Sequence, residues 1–249
     1  NLASNTFNEN NTAYWHKSVG GYHAAKLRRY QEMIEEHISG EMNGLFKAVA
    51  DAGGDMEQLD PADFPVLNML NTRYFIFPLQ GGQTVPLDNP FALGNAWFVD
   101  EVEYVKNANE EIEAIHGLDP TQTVVVDKKF ELVVQSLPSD STATIELVAY
   151  EPNYLKYEID SQDGGTVVFS EIYYPGWRSS IDGQEAEHGR ANYILRAMNV
   201  PAGKHEVEFS FDPVSLHVTE NIATIALGLL ALAALAMAFL KIKAYRKAG

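Results

Sequence analysis

Cysteine is absent from the 249-residue chain, and this absence excludes disulfide bonds and thiol chemistry. Basic residues are also few: 18 Lys and Arg residues stand against 34 Asp and Glu residues, which gives a formal net charge of −16. A chain this acidic repels a phosphate backbone, so nucleic acid is not expected as a partner. The lack of cysteine is compatible with a location outside the cytoplasm but does not require it.

Common catalytic and cofactor signatures are missing as well. The sequence has no GxSxG, Walker A or GxGxxG motif, so the usual hydrolase, nucleotide-binding and dinucleotide-binding classes are not indicated. Its histidines form no HExxH pattern, and the acidic cluster between residues 55 and 63 lacks the spacing of an EF-hand loop. We therefore predict no metal site and no cofactor within this chain.

One long apolar run is present near the C-terminus. Residues 222–240 contain no charged side chain, and Thr224 is the only clearly polar one. At roughly 1.5 Å per residue the run spans about 28 Å as a helix, close to the thickness of the hydrocarbon core of a bilayer. The basic residues after it indicate a cytoplasmic end; these are Lys241, Lys243, Arg246 and Lys247. The sequence thus predicts a transmembrane helix over residues 222–240, with a buried core helix as the alternative.

The residues before this helix form an acidic body. Without the four basic residues of the tail, 14 basic residues remain against 34 acidic ones, a formal charge of about −20. The positive-inside rule places this body outside the cytoplasm. The first residues, NLASN, lack the basic and apolar regions of a signal peptide. The body is therefore expected to belong to a longer polypeptide with further membrane helices upstream.

The first third of the sequence has helical periodicity. Apolar residues at helical spacing predict a helix over residues 22–38 that ends at Gly40. A second, short helix is expected to end at the glycines 53–54. A third is expected to run from an N-cap at Asp60 through Leu70, because Pro61 follows at the first helical position.

From Arg73 onward, short apolar and β-branched runs alternate with turn residues. One helix over residues 108–116 is expected among the strands, and the dipeptides in Asp163-Gly164-Gly165 and Asp182-Gly183 indicate hairpin turns. The predicted strands are residues 74–77, 97–105, 123–126, 130–135, 144–149, 154–159, 166–172, 177–181, 193–198 and 205–211. Many short strands at this spacing are typical of an antiparallel β-sandwich or jelly roll.

These patterns together predict an α+β fold. Its predicted segments are a helical subdomain (residues 1–72), a β-sandwich domain with one inserted helix (73–221), the transmembrane helix (222–240) and a basic cytoplasmic tail (241–249). The sequence does not show whether residues 1–72 pack on the sandwich or on membrane helices outside this chain.

Several blocks of sequence resemble the C-terminal region of the YfhO family of bacterial membrane proteins. In the first 100 residues these are WHKSVGGYHAAKLRRYQ (residues 15–31), MLNTRY (69–74) and NPFALGNAWF (89–98). Later in the chain they are YPGW (174–177), IDG (181–183) and PAGKH (201–205). The blocks occur in the expected order and are spread over most of the chain before the apolar run.

The resemblance implies a large polytopic protein of the GT-C glycosyltransferase type in the bacterial cytoplasmic membrane. In such proteins many membrane helices precede an extracytoplasmic C-terminal domain and a last helix. Characterised relatives are implicated in moving sugars from polyprenyl-phosphate carriers to cell-surface polymers such as teichoic acids. Their acidic catalytic residue usually lies in an early extracytoplasmic loop that this chain does not contain. The resemblance therefore assigns no catalytic residue to this chain, and the chain alone is expected to be inactive.

The start of the first predicted helix is a candidate anion site. Basic residues crowd its N-terminal half, against the preference of the helix dipole, and a Gly-Gly pair could leave backbone N–H groups free for a phosphate of a lipid-linked sugar or lipid headgroup. The candidate residues are Lys17, Gly20, Gly21, His23, Lys26, Arg28 and Arg29. In the alternative interpretation, Arg28 pairs with Glu32, Arg29 and Lys26 pair with distant acids, and the glycines make a turn.

A second candidate site would bind carbohydrate. Aromatic residues around Pro175 and Gly176 could form a platform for a sugar ring, with nearby polar side chains for its hydroxyl groups. The candidate residues are Glu171, Tyr173, Tyr174, Trp177, Arg190 and Asn192. The alternative is that these aromatic side chains fill the core of the sandwich.

From the resemblance and the charge distribution we expect an accessory role. The body would cover the active site of a GT-C-like sugar transferase and position a lipid-linked donor or a cell-surface glycan. Its expected partners are the upstream membrane helices of the same polypeptide and the lipid bilayer. Two alternatives are a carbohydrate-binding module without a part in catalysis, and a structural cap that stabilises the membrane bundle or docks a partner.

Overall fold

The computed structural model describes residues 1–138 and 142–248. Short 3-10 turns lie at Met56–Gln58, Pro61–Asp63, Gln80–Gly82 and Lys128–Phe130. The α-helices are α1 (Asn11–Trp15), α2 (Arg28–Met33), α3 (Ser39–Asp51), α4 (Pro65–Met69), α5 (Ala108–Glu113) and α6 (Val214–Ala248). Of the predicted tail, residue 249 and the side chain of Lys247 lie outside the described residues.

The strands occupy the segment between α4 and α6. They are β1 (Tyr74–Pro78), β2 (Thr84–Asp88), β3 (Ala96–Val99), β4 (Glu101–Val105), β5 (Thr123–Asp127), β6 (Thr144–Glu151), β7 (Tyr154–Ser161), β8 (Gly165–Phe169), β9 (Trp177–Ile181), β10 (Gln184–Glu185), β11 (Gly189–Ala191), β12 (Leu195–Val200) and β13 (Gly203–Phe211).

The first long helix differs from its prediction at both ends. α2 continues through a π-helical segment, Ile34–Ile38, into α3, so Gly40 lies inside the helix and does not end it. A Cβ atom at Gly40 would meet nothing within 4 Å, and a helix tolerates an exposed glycine at a modest cost. The helix begins only at Arg28 because Leu27 before it is extended, with φ −59° and ψ 129°.

The predicted helix ends further along are closer to the structure. The chain leaves α3 through Gly53 and Gly54, both with positive φ, as expected for a glycine C-terminus. The Asp60 side chain accepts a hydrogen bond from the Ala62 N–H and so caps the 3-10 turn Pro61–Asp63. α4 then follows as a separate short helix.

Two sheets pack face to face and confirm the predicted sandwich. Within the described residues, one sheet has the order β10-β9-β13-β7-β6 and the other the order β3-β8-β12-β11-β5-β4; β1 and β2 form a separate hairpin. Pairing is antiparallel except between β4 and β5, which are parallel. One apolar cluster fills the space between the sheets; its buried residues are Leu155, Tyr157, Ile159, Val167, Phe169, Met198, Val200, Val207 and Phe209.

The helical region packs on the outer face of the six-stranded sheet. Met33, Ile38 and Leu67 of the helices share one apolar cluster with Val126 and Leu195 of the sheet. All five side chains are essentially buried. Residues 1–72 therefore pack on the sandwich. The boundary between residues 72 and 73 stays a prediction, because this core contains side chains from both sides of it.

Two predicted strand features are wrong. Residues 130–135 form turns instead of a strand: the Asp127 side chain accepts the Lys129 N–H and starts a 3-10 turn, and Val134 N–H bonds back to the Phe130 carbonyl. The turn at residues 163–165 is no hairpin, since it carries the chain from β7 in one sheet to β8 in the other.

Other strand predictions hold with shifted bounds. Residues 97–105 divide into β3 and β4 at Asp100. β12 starts at Leu195 because Asn192 and Tyr193 before it have positive φ. The Asp182-Gly183 turn does join a hairpin, in which Gln184 pairs with Ile181.

Candidate functional site

The C-terminal helix α6 presents an apolar surface without protein cover. The segment Val214–Ala244 is long and apolar enough to cross a membrane, and its most apolar stretch of 18 residues is not buried among the described residues. Leu229, Leu235 and Phe239 are each 63–67% exposed. The predicted span 222–240 lies inside this helix, which begins eight residues earlier. Surface of this kind is stable in lipid or against other apolar helices.

The glycine pair of the predicted anion site does not start a helix, so that part of the prediction is wrong. Gly21 N–H donates to the carbonyl of Thr6 over 2.7 Å, and Gly20 N–H donates to Ser18 Oγ. A Cβ atom on Gly20 would lie 2.3 Å from Thr6 O. Glycine is needed here because two backbone segments approach closely.

A surface groove does bring together some of the predicted basic residues. His23, Lys26 and Arg28 line a cavity of about 490 Å³ whose wall also contains Glu32 and Glu35. Arg28 Nε lies 2.8 Å from Glu32 Oε1, as the alternative interpretation expected. In the described part of the chain no carboxylate forms a salt bridge with Lys26. The groove thus has mixed charge and holds one exposed ion pair.

The other two basic candidates point away from the groove. The Lys17 ammonium lies 3.1 Å from the centroid of the Tyr150 ring. Arg29 turns into the body, where its guanidinium lies 2.9 Å from Glu111 Oε2 and 4.3 Å from the Tyr193 ring centroid. The seven candidates are therefore divided among the glycine loop, the groove, the Tyr150 contact and the Arg29 pair.

Two of the carbohydrate candidates are buried parts of the sheet. Arg190 is 7% exposed and donates to both oxygens of Glu111, with Asp127 at 3.5 Å. Asn192 is fully buried, and its side-chain oxygen accepts the Val125 N–H. Neither side chain is available to a sugar in this conformation.

The aromatic candidates surround the turn before β9. Tyr173 packs edge-on against Phe130. Trp177 is half-buried, with the Arg196 guanidinium 4.1 Å from its ring centroid. Tyr174 is 46% exposed. Of these three aromatic side chains only Tyr174 is classed as exposed, so an aromatic platform at this turn would be smaller than the sequence predicted.

Glu171 lies in a polar cluster that sequence reasoning missed. Arg196 is 1% exposed and donates from Nε and Nη2 to the Ile172 carbonyl, while its Nη1 has no hydrogen-bond partner in the described chain. The hydroxyl of Tyr157 is also buried without a partner there. Burial raises the pKa of Glu171, and it lowers the pKa of Arg196 to about 10. No motif marks Arg196, because its burial depends on the packing of two sheets.

These features define a class: a globular α+β domain joined directly to a helix that is long and apolar enough to cross a membrane. Residues 119–223, from the segment before β5 into α6, match the family model described as Bacterial membrane protein YfhO. This region of the chain is similar to the YfhO family of bacterial membrane proteins, in agreement with the resemblance seen in the sequence. The family and the helix together indicate a membrane-associated protein. Comparison with curated proteins and with solved structures gives no match.

Proposed function

We propose that this chain is an extracytoplasmic accessory domain of a polytopic membrane protein resembling GT-C glycosyltransferases. The observation that carries the proposal is the direct link between body and helix: β13 ends at Phe211 and α6 begins at Val214. The family match at residues 119–223 spans this junction. Such a junction holds a folded domain against one side of a bilayer.

The charge distribution supports an extracytoplasmic body. The acidic residues all precede the apolar run, and Lys241, Lys243 and Arg246 follow it. Cytoplasmic flanks of membrane helices are enriched in Lys and Arg. The C-terminus is accordingly cytoplasmic in this proposal, and the body faces outward.

The proposed task of the body is to position a lipid-linked sugar or an acceptor glycan for the membrane-embedded part of the same polypeptide. The groove at His23, Lys26 and Arg28 supports this role, because Lys26 has no carboxylate partner among the described residues and Arg28 is held only by an exposed pair. Exposed pairs contribute little and exchange partners readily. A diphosphate or phosphate group could thus replace Glu32 as the partner of Arg28. The catalytic carboxylate would come from outside this chain.

Sidedness is tested by labelling single cysteines in the full-length parent protein. This chain contains no cysteine, and any cysteines in the rest of the parent are replaced first. Asp163→Cys lies in an exposed turn of the body, and Lys243→Cys lies beyond the apolar run. A membrane-impermeant maleimide should label Asp163→Cys in intact cells and Lys243→Cys only after permeabilisation. The reverse pattern would overturn the extracytoplasmic location.

The positioning role is tested in proteoliposomes of the parent protein supplied with polyprenyl-phosphate-linked sugars. The folded double variant Lys26→Ala, Arg28→Ala should lose most of the transfer activity, whereas Lys106→Ala, Lys204→Ala, which removes two basic residues elsewhere, should retain it. Normal transfer by the first double variant would leave the body as a structural cap.

A further inference from the structure

The end of the body from which α6 emerges carries a group of aromatic side chains. Only Asp212 and Pro213 separate β13 from α6. The Asp212 N–H donates to the Gly176 carbonyl over 3.1 Å. A Cβ atom on Gly176 would lie 3.0 Å from Pro213 Cβ, so the turn before β9 packs tightly on this link.

Two aromatic residues of that turn pack on the last residue of β13. The ring centroids of Tyr174 and Trp177 lie 6.1 Å and 5.5 Å from that of Phe211. Tyr174 keeps 46% of its surface exposed. Since consecutive residues are about 3.8 Å apart, Phe211 lies within roughly 12 Å of the first residue of α6. The Tyr174 side chain is therefore close to the start of α6.

A second aromatic group reaches the same end of the body from the N-terminal segment. Tyr14 and Trp15 of α1 are 78% and 72% exposed, and their rings contact edge to face at 4.8 Å. Two residues later, Lys17 lies over the ring of Tyr150 near the end of β6. Tyr150 pairs with Leu155, which in turn pairs with Phe209 of β13. Phe209 is thus the β13 residue level with Tyr150 across the sheet, and it lies two residues before Phe211.

We propose that this end of the body lies in the headgroup layer of the bilayer that α6 crosses. We call it the membrane-facing surface and define it by five residues: Tyr14, Trp15, Lys17, Tyr150 and Tyr174. Tyr and Trp rings are stable at headgroup level because one part of the ring system is apolar and the other forms hydrogen bonds. A Lys side chain there reaches lipid phosphates while its stem stays apolar.

The length of α6 supports the same depth. The 31 residues of Val214–Ala244 span about 46 Å as a helix, compared with about 40–45 Å for a bilayer including its headgroups. With the apolar run 222–240 in the hydrocarbon core, Val214 lies eight residues, or about 12 Å, outside that core, near the outer edge of the headgroup layer. Aromatic side chains at this end of the body can then reach the headgroups. This inference rests on membrane insertion of α6, and it is independent of any sugar transfer.

Tryptophan quenching in lipid nanodiscs tests the proposal on the full 249-residue chain. The variant Trp97→Phe, Trp177→Phe leaves Trp15 as the single tryptophan. In nanodiscs of phosphatidylcholine with phosphatidylglycerol, a spin label on the lipid headgroup should quench the fluorescence of Trp15. The less polar surroundings of the headgroup layer should also shift the Trp15 emission to shorter wavelength. A second probe, Tyr174→Trp in a background with all three tryptophans replaced by phenylalanine, should be quenched in the same way.

Two controls fix the interpretation. Lys204→Trp in the tryptophan-free background lies at the far end of β13, about 24 Å from Phe211 at 3.4 Å per residue, and should not be quenched. Leu229→Trp in α6 should be quenched by bromine atoms on the acyl chains. If Leu229→Trp is quenched but Trp15 and Tyr174→Trp are not, the membrane-facing surface is wrong while the membrane helix stands. If Leu229→Trp is not quenched, membrane insertion fails and this inference fails with it.

Discussion

Nη1 of Arg29 lies 2.9 Å from Oε2 of Glu111, a residue 82 positions further along the chain. The same carboxylate oxygen lies 2.9 Å from Nη2 of Arg190. Glu111 is completely buried, so α2, α5 and β11 are joined by one charged group inside the protein. The helical region is thus attached to the sandwich by buried salt bridges as well as by apolar packing.

Replacing Glu111 should be strongly destabilising. Glu111→Gln preserves the shape but leaves the buried Arg190 and the partly buried Arg29 without their anion, and loss of one partner from a buried pair costs about 3–5 kcal/mol. Chemical unfolding of the full chain in detergent micelles, followed by near-UV circular dichroism, measures the change. Glu113→Gln makes the same substitution at an exposed position of α5 and should change stability by less than about 0.5 kcal/mol. Equal effects of the two variants would contradict the buried role.

The carboxyl of Glu41 should make stability depend on pH. Its two oxygens accept the N–H groups of Val66 and Leu67 at the start of α4, each over 2.9 Å. Burial raises the pKa of Glu41 from 4.5 to about 7. Between these pH values the folded chain keeps a proton that the unfolded chain has lost, so stability falls as pH rises, by at most about 3 kcal/mol.

Glu41→Gln should remove this pH dependence, because glutamine does not titrate. The free energy of unfolding, measured at intervals from pH 4.5 to pH 7, should fall less steeply in the variant than in the original chain. Glu57→Gln, an exposed position, is the control and should leave the slope unchanged. An identical slope in all three chains would show that Glu41 is ionised throughout this range.

Features that depend on local sequence could be predicted, and those that depend on distant contacts could not. The apolar run that becomes α6 and alternating strands such as β6 and β7 are properties of neighbouring residues. The turn at residues 163–165 is also recognisable as a turn. Its path from one sheet to the other follows from how the sheets pack, which local sequence does not record.

The candidate sites show the same division. The exposed Arg28–Glu32 pair follows from a spacing of four residues on a helix. The pairing of Arg29 with Glu111 joins residues from two distant helices, and no spacing rule predicts it. The basic residues predicted near the first helix therefore lie in three places: the groove, the interior of the protein and, for Lys17, the ring of Tyr150.

Gly40→Ala should stabilise the chain. Gly40 is exposed within α3, and a methyl group there meets no atom within 4 Å. Alanine loses less backbone entropy in a helix, so a gain of about 0.5–1 kcal/mol is expected in the unfolding free energy measured in micelles. Gly53→Ala provides the contrast, because its φ of 65° strains any side chain and should reduce stability. A loss of stability in Gly40→Ala would indicate that this glycine ends a helix after all.

Gly20→Ala should loosen the N-terminal segment without unfolding the sandwich. The added methyl carbon would lie 2.3 Å from Thr6 O and 2.5 Å from Thr6 Cγ2, so the two segments must separate, at a cost of about 1–3 kcal/mol. Hydrogen exchange of the full chain in micelles should show faster exchange at Gly21 N–H, which bonds to Thr6 O. Strand amides such as Val168, paired in the middle of β8, should keep their protection.

Gly44→Ala is the matched control for this loop, since its added methyl group meets no atom within 4 Å and lies in α3. It should leave exchange at Gly21 unchanged. The comparison also separates two roles of the glycine pair. If Gly20→Ala weakens phosphate binding without changing exchange at Gly21, the pair contacts the ligand directly. If Gly20→Ala both speeds exchange at Gly21 and weakens phosphate binding, the glycines act by holding the segment that presents His23 and Lys26 to the groove.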